Sequence, residues 1–316
     1  MAKEKSGKQQ GDMARAGLAA LSPFELKDEL IKAAGGGAVE RAANASMLNA
    51  GRGNPNFLAT IPRHGFWQLG LFAMRESERS FAFMPEGVGG FPRREGLTER
   101  FDLFLRENRG VPGIDFLRGA VSYVRDQLGL SAGDFLYEMC EGVLASNYPV
   151  PDRMLKLSEL IVGQYLRKEM IGNHPFVGEF DVFAVEGGTA AMTYIFNTMR
   201  ENYLIKPGDT IALGMPIFTP YIEIPRLNDY QLKVVNLEAT VESDWQYSKK
   251  ELDKLRDPKV KAFFLVNPSN PPSVKISDES LQYIADVVKE RPDLILLTDD
   301  VYGTFADDFV SLFMLT

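Results

Sequence analysis

The chain is poor in the side chains that most often cross-link a fold or hold a metal. Its 316 residues include one cysteine, Cys140, and two histidines, His64 and His174. A single cysteine excludes an internal disulfide framework and any cysteine-rich metal site. The two histidines lie far apart and lack ligand spacing, so both read as structural or surface residues. No apolar run approaches the roughly 20 residues that span a bilayer. Residues 1–20 carry four basic and two acidic side chains but no apolar signal core. They read as a disordered arm, and a soluble cytoplasmic protein is expected. Basic charge is also in deficit: 35 Lys and Arg stand against 43 Asp and Glu, for a net charge of -8. That argues against a general nucleic-acid surface. One further shortage matters below: no lysine follows Lys289.

What is present is 45% hydrophobic, ample for one large or two ordinary domains. Ser22-Pro-Phe-Glu25 has an N-cap, a first-turn proline and a capping-box glutamate, which predicts a helix to about Ala34. In Gly51-Arg52-Gly53-Asn54-Pro55-Asn56-Phe57, two glycines around an arginine let the backbone pass close to a ligand while the guanidinium points at it. Between Met84 and Asn147, Gly/Pro turns mix with helical stretches at 115–128 and 131–145. That block carries no motif of chemical interest and reads as a packing or oligomer-contact insertion.

From Asn147 the pattern alternates. Short β-branched apolar runs at 181–185, 210–213, 232–237, 261–266 and 294–298 are separated, for the most part, by helical segments at 157–170, 189–201, 248–255 and 278–290. Buried parallel strands with crossover helices explain this, so the class is α/β with a mostly parallel sheet. The expected divisions are the arm (1–20), an N-terminal segment of a small domain with a substrate loop (21–83), the helical insertion (84–147) and a cofactor-binding large domain, in part (148–316).

Open α/β sheets bind ligands beyond the carboxyl ends of their strands, and three motifs fall at such ends. Gly187-Gly188-Thr189 opens a helix whose free amides and dipole suit an anion. Alone it is a weak signal, because glycines before helices are common. It is neither GxGxxG nor a Walker loop. Asn267-Pro-Ser-Asn270-Pro-Pro stiffens a turn so that Asn270 can donate to a phenolate oxygen, a plain turn being the alternative. Asp299 ends an apolar strand, where a carboxylate is costly without a cation such as a protonated ring nitrogen; a helix cap is the alternative. Tyr302 can donate to the same phenolate. Phe218, in Met215-Pro-Ile-Phe218-Thr-Pro-Tyr221, is either a ring-stacking aromatic or ordinary core. Asp300, Asp307 and Asp308 have no evident partner and are expected to be solvated. Together the motifs suit a phosphorylated aromatic cofactor with a ring nitrogen and a ring hydroxyl.

Assembled in this order, the residues resemble the aspartate aminotransferase superfamily, the fold type I enzymes that use pyridoxal 5'-phosphate. Within it the chain is most similar to the bacterial aspartate 4-decarboxylases, which also transaminate aspartate. Ser22-Pro-Phe-Glu-Leu-Lys27-Asp-Glu-Leu, the Gly51 to Phe57 run, the 84–147 insertion and Thr298-Asp-Asp-Val-Tyr-Gly-Thr-Phe-Ala306 carry that likeness. The resemblance implies that Gly187, Gly188 and Thr189 bind the phosphate and that Phe218 stacks on the ring. It implies that Asn270 and Tyr302 donate to the 3'-oxygen and that Asp299 pairs with the ring nitrogen. Tyr148 resembles the tyrosine that reaches a neighbouring subunit's phosphate, which implies a homodimer or higher homo-oligomer. Gly53 matches the close-approach glycine, and Arg52 and Lys27 are assigned to a substrate carboxylate, ordinary surface charge being the alternative.

The implied substrates are L-aspartate and 2-oxo acids, and the implied reaction is β-decarboxylation to L-alanine with a transaminase side activity. Plain aminotransferase activity and a non-catalytic fragment are the alternatives. The family's Schiff-base lysine is expected beyond Thr316, because Lys289 precedes the Asp299 strand on the polar side of a helix. No catalytic residue is therefore assigned within these 316 residues, and they are expected to be the N-terminal part of such an enzyme.

Overall fold

The computed structural model describes residues 25–26, 28–32, 58–147, 153–170, 172, 179–312 and 315. These fall into two compact units. Residues 56–168 and 173–184 form one; residues 1–55, 169–172 and 185–316 form the other.

The first unit is helical. Its elements are α1 (Thr60–Ser80), α2 (Leu97–Glu107), α3 (Ile114–Asp126), α4 (Ala132–Val143) and α5 (Lys156–Glu169, whose last residue falls in the other unit). The residues of the 84–147 block share a core with α1. Phe72 of α1 packs edge-on against Phe101 at 4.9 Å and tilted against Phe104 at 5.5 Å, with Leu97, Ile114, Leu136 and Cys140 around them. The expected helix at 131–145 is α4, begun by Ser131, whose hydroxyl accepts from the Asp134 amide. The sequence offers no expectation for the 21-residue α1. Its apolar side chains run all round it, with Trp67 and Leu71 exposed opposite Phe72 and Ala73, so its helical period is blurred. α2 is likewise unexpected; it starts after Gly96, which sits at φ +70.

The second unit is a parallel sheet covered on both faces. Its strands are β1 (Thr210–Met215), β2 (Lys233–Glu238), β3 (Val260–Val266) and β4 (Ile295–Asp299), in the order β2-β1-β3-β4, with every pairing parallel. The helices are α6 (Gly188–Glu201), the short α7 (Pro220–Glu223) and α8 (Lys249–Leu252), and α9 (Asp278–Glu290). The period-2 alternation of strand side chains splits β3 cleanly. Phe263 and Leu265 join Leu281, Ile284 and Val287 of α9 on one face. Ala262, Phe264 and Val266 join Met192, Phe196 and Met199 of α6 on the other. The α/β reading and four of the five expected strands agree with this sheet.

The fifth does not. Residues 181–185 have no strand partner among the described residues, and Phe183 is 66% exposed. Side chains hold this stretch instead: Arg153 binds the carboxylates of Glu159 and Asp181, and the Val182 amide donates to Glu159. An apolar run of strand length is not a strand without an edge to pair with. The expected helix at 248–255 is also shorter, with α8 passing into a 3-10 turn at Asp253–Arg256.

Candidate functional site

The carboxyl ends of three adjacent strands supply the site. β3 and β4 pair in register from Ala262↔Ile295 to Val266↔Asp299, and the Asn267 amide extends the ladder by donating to the Asp299 carbonyl at 2.9 Å. The segments that follow β3 and β4 therefore leave the sheet side by side. After β3, Asn267 is fully buried, and its side-chain oxygen accepts from the Ile276 amide at 3.0 Å. Ser269 and Val274 close the same loop through backbone and hydroxyl hydrogen bonds. Asn270 stands at its tip. After β4, Tyr302 begins a 3-10 turn at Gly303–Phe305. Asn270 and Tyr302 line one cleft of about 340 Å³, together with Ser273, Lys275 and Phe305.

Asp299 is the last residue of β4. Its Oδ1 accepts from the Val301 amide at 3.1 Å, and its Oδ2 accepts from the Tyr221 hydroxyl at 3.2 Å. Both partners are neutral, and no cation pairs with it among the described residues. Tyr221 lies in α7, just past the turn that carries Phe218. Its phenol is pushed well above the ordinary range, by burial first and by the Asp299 charge second, so it stays protonated and donates. Its ring leans on Phe264 at 5.7 Å, and Phe264 stacks on Phe196 of α6 at 4.9 Å and 4°. One aromatic chain thus runs from α6 through β3 to the carboxylate.

Phe218 is half-buried and packs at the edge of that same cluster. It lies outside the lining of the Asn270–Tyr302 cleft, as do Asp299 and residues 187–189. At the start of α6, Gly187 adopts φ +142, a conformation reserved in practice for glycine. Among the described residues, no side chain caps this helix, and a Cβ added to Gly187 or Gly188 would meet nothing within 4 Å. The first-turn amides have no intrahelical partners, and Thr189 beside them is exposed. Lys27, Arg52, Gly53, Tyr148 and His174 lie outside the described residues. His64 is exposed on α1.

Asp300 corrects an expectation. It is half-buried rather than solvated, and accepts from the hydroxyls of Thr298 and Ser311. Burial raises its pKa above the usual carboxylate range, only partly offset by those bonds. The distant Ser311 was the missing signal: nothing in the local sequence pairs it with Asp300. Asp307 and Asp308 are exposed as expected. The residues that sequence reasoning passed over are Tyr221, Lys275 and Phe305. The first stood in the quoted 215–221 run, where only Phe218 was given a role.

The profile of the family "Aminotransferase class I and II" matches residues 125–314, more than half of the chain. The chain belongs to that family. A bifunctional aspartate aminotransferase and L-aspartate beta-decarboxylase of Pseudomonas sp is 59% identical over 297 residues, covering 94% of this chain and 55% of that protein. An aspartate/prephenate aminotransferase of Nitrosomonas europaea is 31% identical over 159 residues, covering 49% of this chain and 37% of its own length. Among solved structures, an aromatic aminotransferase from Pyrococcus horikoshii OT3 aligns at 25% identity and a TM-score of 0.39, over 48% of this chain and 39% of that one. The chain thus spans about half the length, or less, of these relatives. No described helix is long and apolar enough to cross a membrane.

Proposed function

We propose that this chain belongs to an enzyme that uses pyridoxal 5'-phosphate to remove the β-carboxylate of L-aspartate, giving L-alanine and CO2, with transamination of aspartate to a 2-oxo acid as a side activity. The observation that carries this is the Asp299 carboxylate, which is fixed by two neutral donors and has no cation partner among the described residues. A buried or half-buried anion is costly until a positive partner arrives, and a protonated pyridine nitrogen is such a partner. The 59% identity to the bifunctional Pseudomonas protein favours aspartate as substrate.

The described residues fit the cofactor's three polar ends. The uncapped start of α6 offers amides and the Thr189 hydroxyl to a phosphate. Asn270 and Tyr302 offer an amide and a phenol to the ring oxygen from one cleft. Phe218 offers an aromatic face at the turn held by Tyr221. When bound, the cofactor supplies an electron sink conjugated to the substrate's Cα. Asp299 holds the proton on the ring nitrogen, and Tyr221 keeps that carboxylate oriented by donating to Oδ2. Asn270 and Tyr302 hold the ring oxygen in its ionised form by donating to it. Arg52 and Lys27 are assigned to a substrate carboxylate, and Gly53 to the close approach of the backbone to the substrate. Tyr148 is assigned to the phosphate of a neighbouring subunit, so the working form is a homodimer or a larger homo-oligomer.

The test is incubation of the protein, at its natural full length, with L-aspartate and the cofactor, with alanine and oxaloacetate assayed separately. Alanine in excess over oxaloacetate is expected. Oxaloacetate alone would reduce the activity to that of a plain aminotransferase, and neither product would overturn the proposal.

A further inference from the structure

Lys275 is a cation with little to do for the fold. It lies on the returning limb of the Asn270 loop, lines the same cleft as Asn270 and Tyr302, and is half-buried there. Its ammonium makes one long hydrogen bond, 3.4 Å to the Asp307 carbonyl. Elsewhere in this unit, lysines near acids are engaged: Lys254 meets Glu251 at 2.5 Å and Lys249 meets Glu279 at 3.3 Å. No acidic side chain pairs with Lys275 among the described residues, and none lines the cleft. Ser269, also in the wall, is spent, because its hydroxyl both donates to and accepts from Val274. Ser273, likewise in the wall, donates its hydroxyl to the Pro271 carbonyl at 3.4 Å. Among the described residues, the remaining side-chain polar groups that line the cleft are an ammonium, a carboxamide and a phenol, and its one formal charge is positive.

We propose that Lys275 is an anion site that receives a carboxylate of a dicarboxylic substrate, and so helps select a dicarboxylate over a monocarboxylate. This rests on the reading that Asn270 and Tyr302 hold the cofactor's ring oxygen, which places the reacting end of the substrate at this cleft. The physics is that of a compact ammonium with two unused N–H donors in a partly desolvated wall. A carboxylate there gains a charge-assisted hydrogen bond without displacing an existing ion pair. The cofactor's phosphate has its own assignment at the start of α6, so the anion left for Lys275 is the substrate's.

The experiment labels the protein with an amine-acylating reagent and reads the rate at each lysine by peptide mass spectrometry, with exposed Lys289 as the internal reference. Succinate is expected to slow labelling of Lys275 several-fold, with propionate and inorganic phosphate at matched ionic strength doing much less. In parallel, K275Q is expected to weaken succinate binding by roughly tenfold, the scale of one hydrogen bond to a charged group, and to leave the affinity for pyridoxine 5'-phosphate unchanged. Equal protection by all three anions, or none by succinate, would overturn the proposal. So would a K275Q protein that loses both affinities, since the lysine would then be holding the loop. A wild-type protein that fails to bind pyridoxine 5'-phosphate while succinate still protects Lys275 would sink the cofactor reading and leave the anion site standing.

Discussion

Two carboxylates, one in each unit, are treated in opposite ways. Glu76 of α1 is 2% exposed and fully neutralised: Arg100 donates to one oxygen at 2.7 Å and Arg79 to the other at 3.2 Å. Arg100 is itself anchored by the Glu95 and Arg93 carbonyls. Among the described residues, Asp299, at the end of β4, has only a tyrosine hydroxyl and a backbone amide as partners. The first arrangement is electrically complete and ties α1 to α2. The second is oriented but electrically incomplete, which is what a site looks like when its counter-charge belongs to a ligand. In the proposed reading, the cation that Asp299 lacks among the described residues is the cofactor's ring nitrogen.

The most damaging way to break this comparison is to remove what orients Asp299. Phe264→Ala deletes the ring between Phe196 and Tyr221, and about 3–5 kcal/mol of stability should be lost, read by urea unfolding. Glu76→Ala comes next. It strands Arg100, but that guanidinium stays partly exposed at 23% and keeps its carbonyl partners. A loss of about 2 kcal/mol is therefore expected, below that for a fully buried pair. Asp299→Asn should do the reverse of Glu76→Ala. Stability should change by less than about 1 kcal/mol, because no ion pair is broken, while affinity for pyridoxine 5'-phosphate should fall by at least about tenfold, one pKa unit's worth of charge pairing. Calorimetric titration of both variants decides whether the contrast holds.

The smallest effect concerns Asp300. Its folded pKa is raised by burial, so the folded state binds the proton more tightly than the unfolded chain. Its contribution is most favourable below the ordinary carboxylate pKa of about 4 and is lost as pH rises through the raised folded value. Asp300→Asn should remove that slope from the stability–pH curve while leaving its alkaline limb unchanged.

The sheet was legible because its signals are local. Each strand of β1 to β4 is a short apolar run. The serines Ser131, Ser248 and Ser277, each accepting from an amide three residues on, are local signals of helix starts. Asn270 and Asp299 do stand at strand ends, where open α/β sheets place their ligands, whereas the expected strand before Gly187 is absent among the described residues. What escaped depends on distant partners. The α1 helix hides because its exposed apolar side chains mask the buried face. The 181–185 run looks like a strand in isolation but finds no edge. Asp300 reads as solvated until Ser311, eleven residues later, folds back over it. Tyr221 lies 78 residues from Asp299, and no spacing rule connects them.

The most direct test of the central claim is the protonation state of the ring nitrogen itself. Pyridoxine 5'-phosphate labelled with nitrogen-15 in the ring, bound to the wild-type protein and to Asp299→Asn, can be followed by NMR at a pH well above the free nitrogen's own pKa. A nitrogen that stays protonated in the wild type and loses its proton in the variant is the predicted result. A nitrogen with the same protonation in both would mean that Asp299 does not supply its counter-charge.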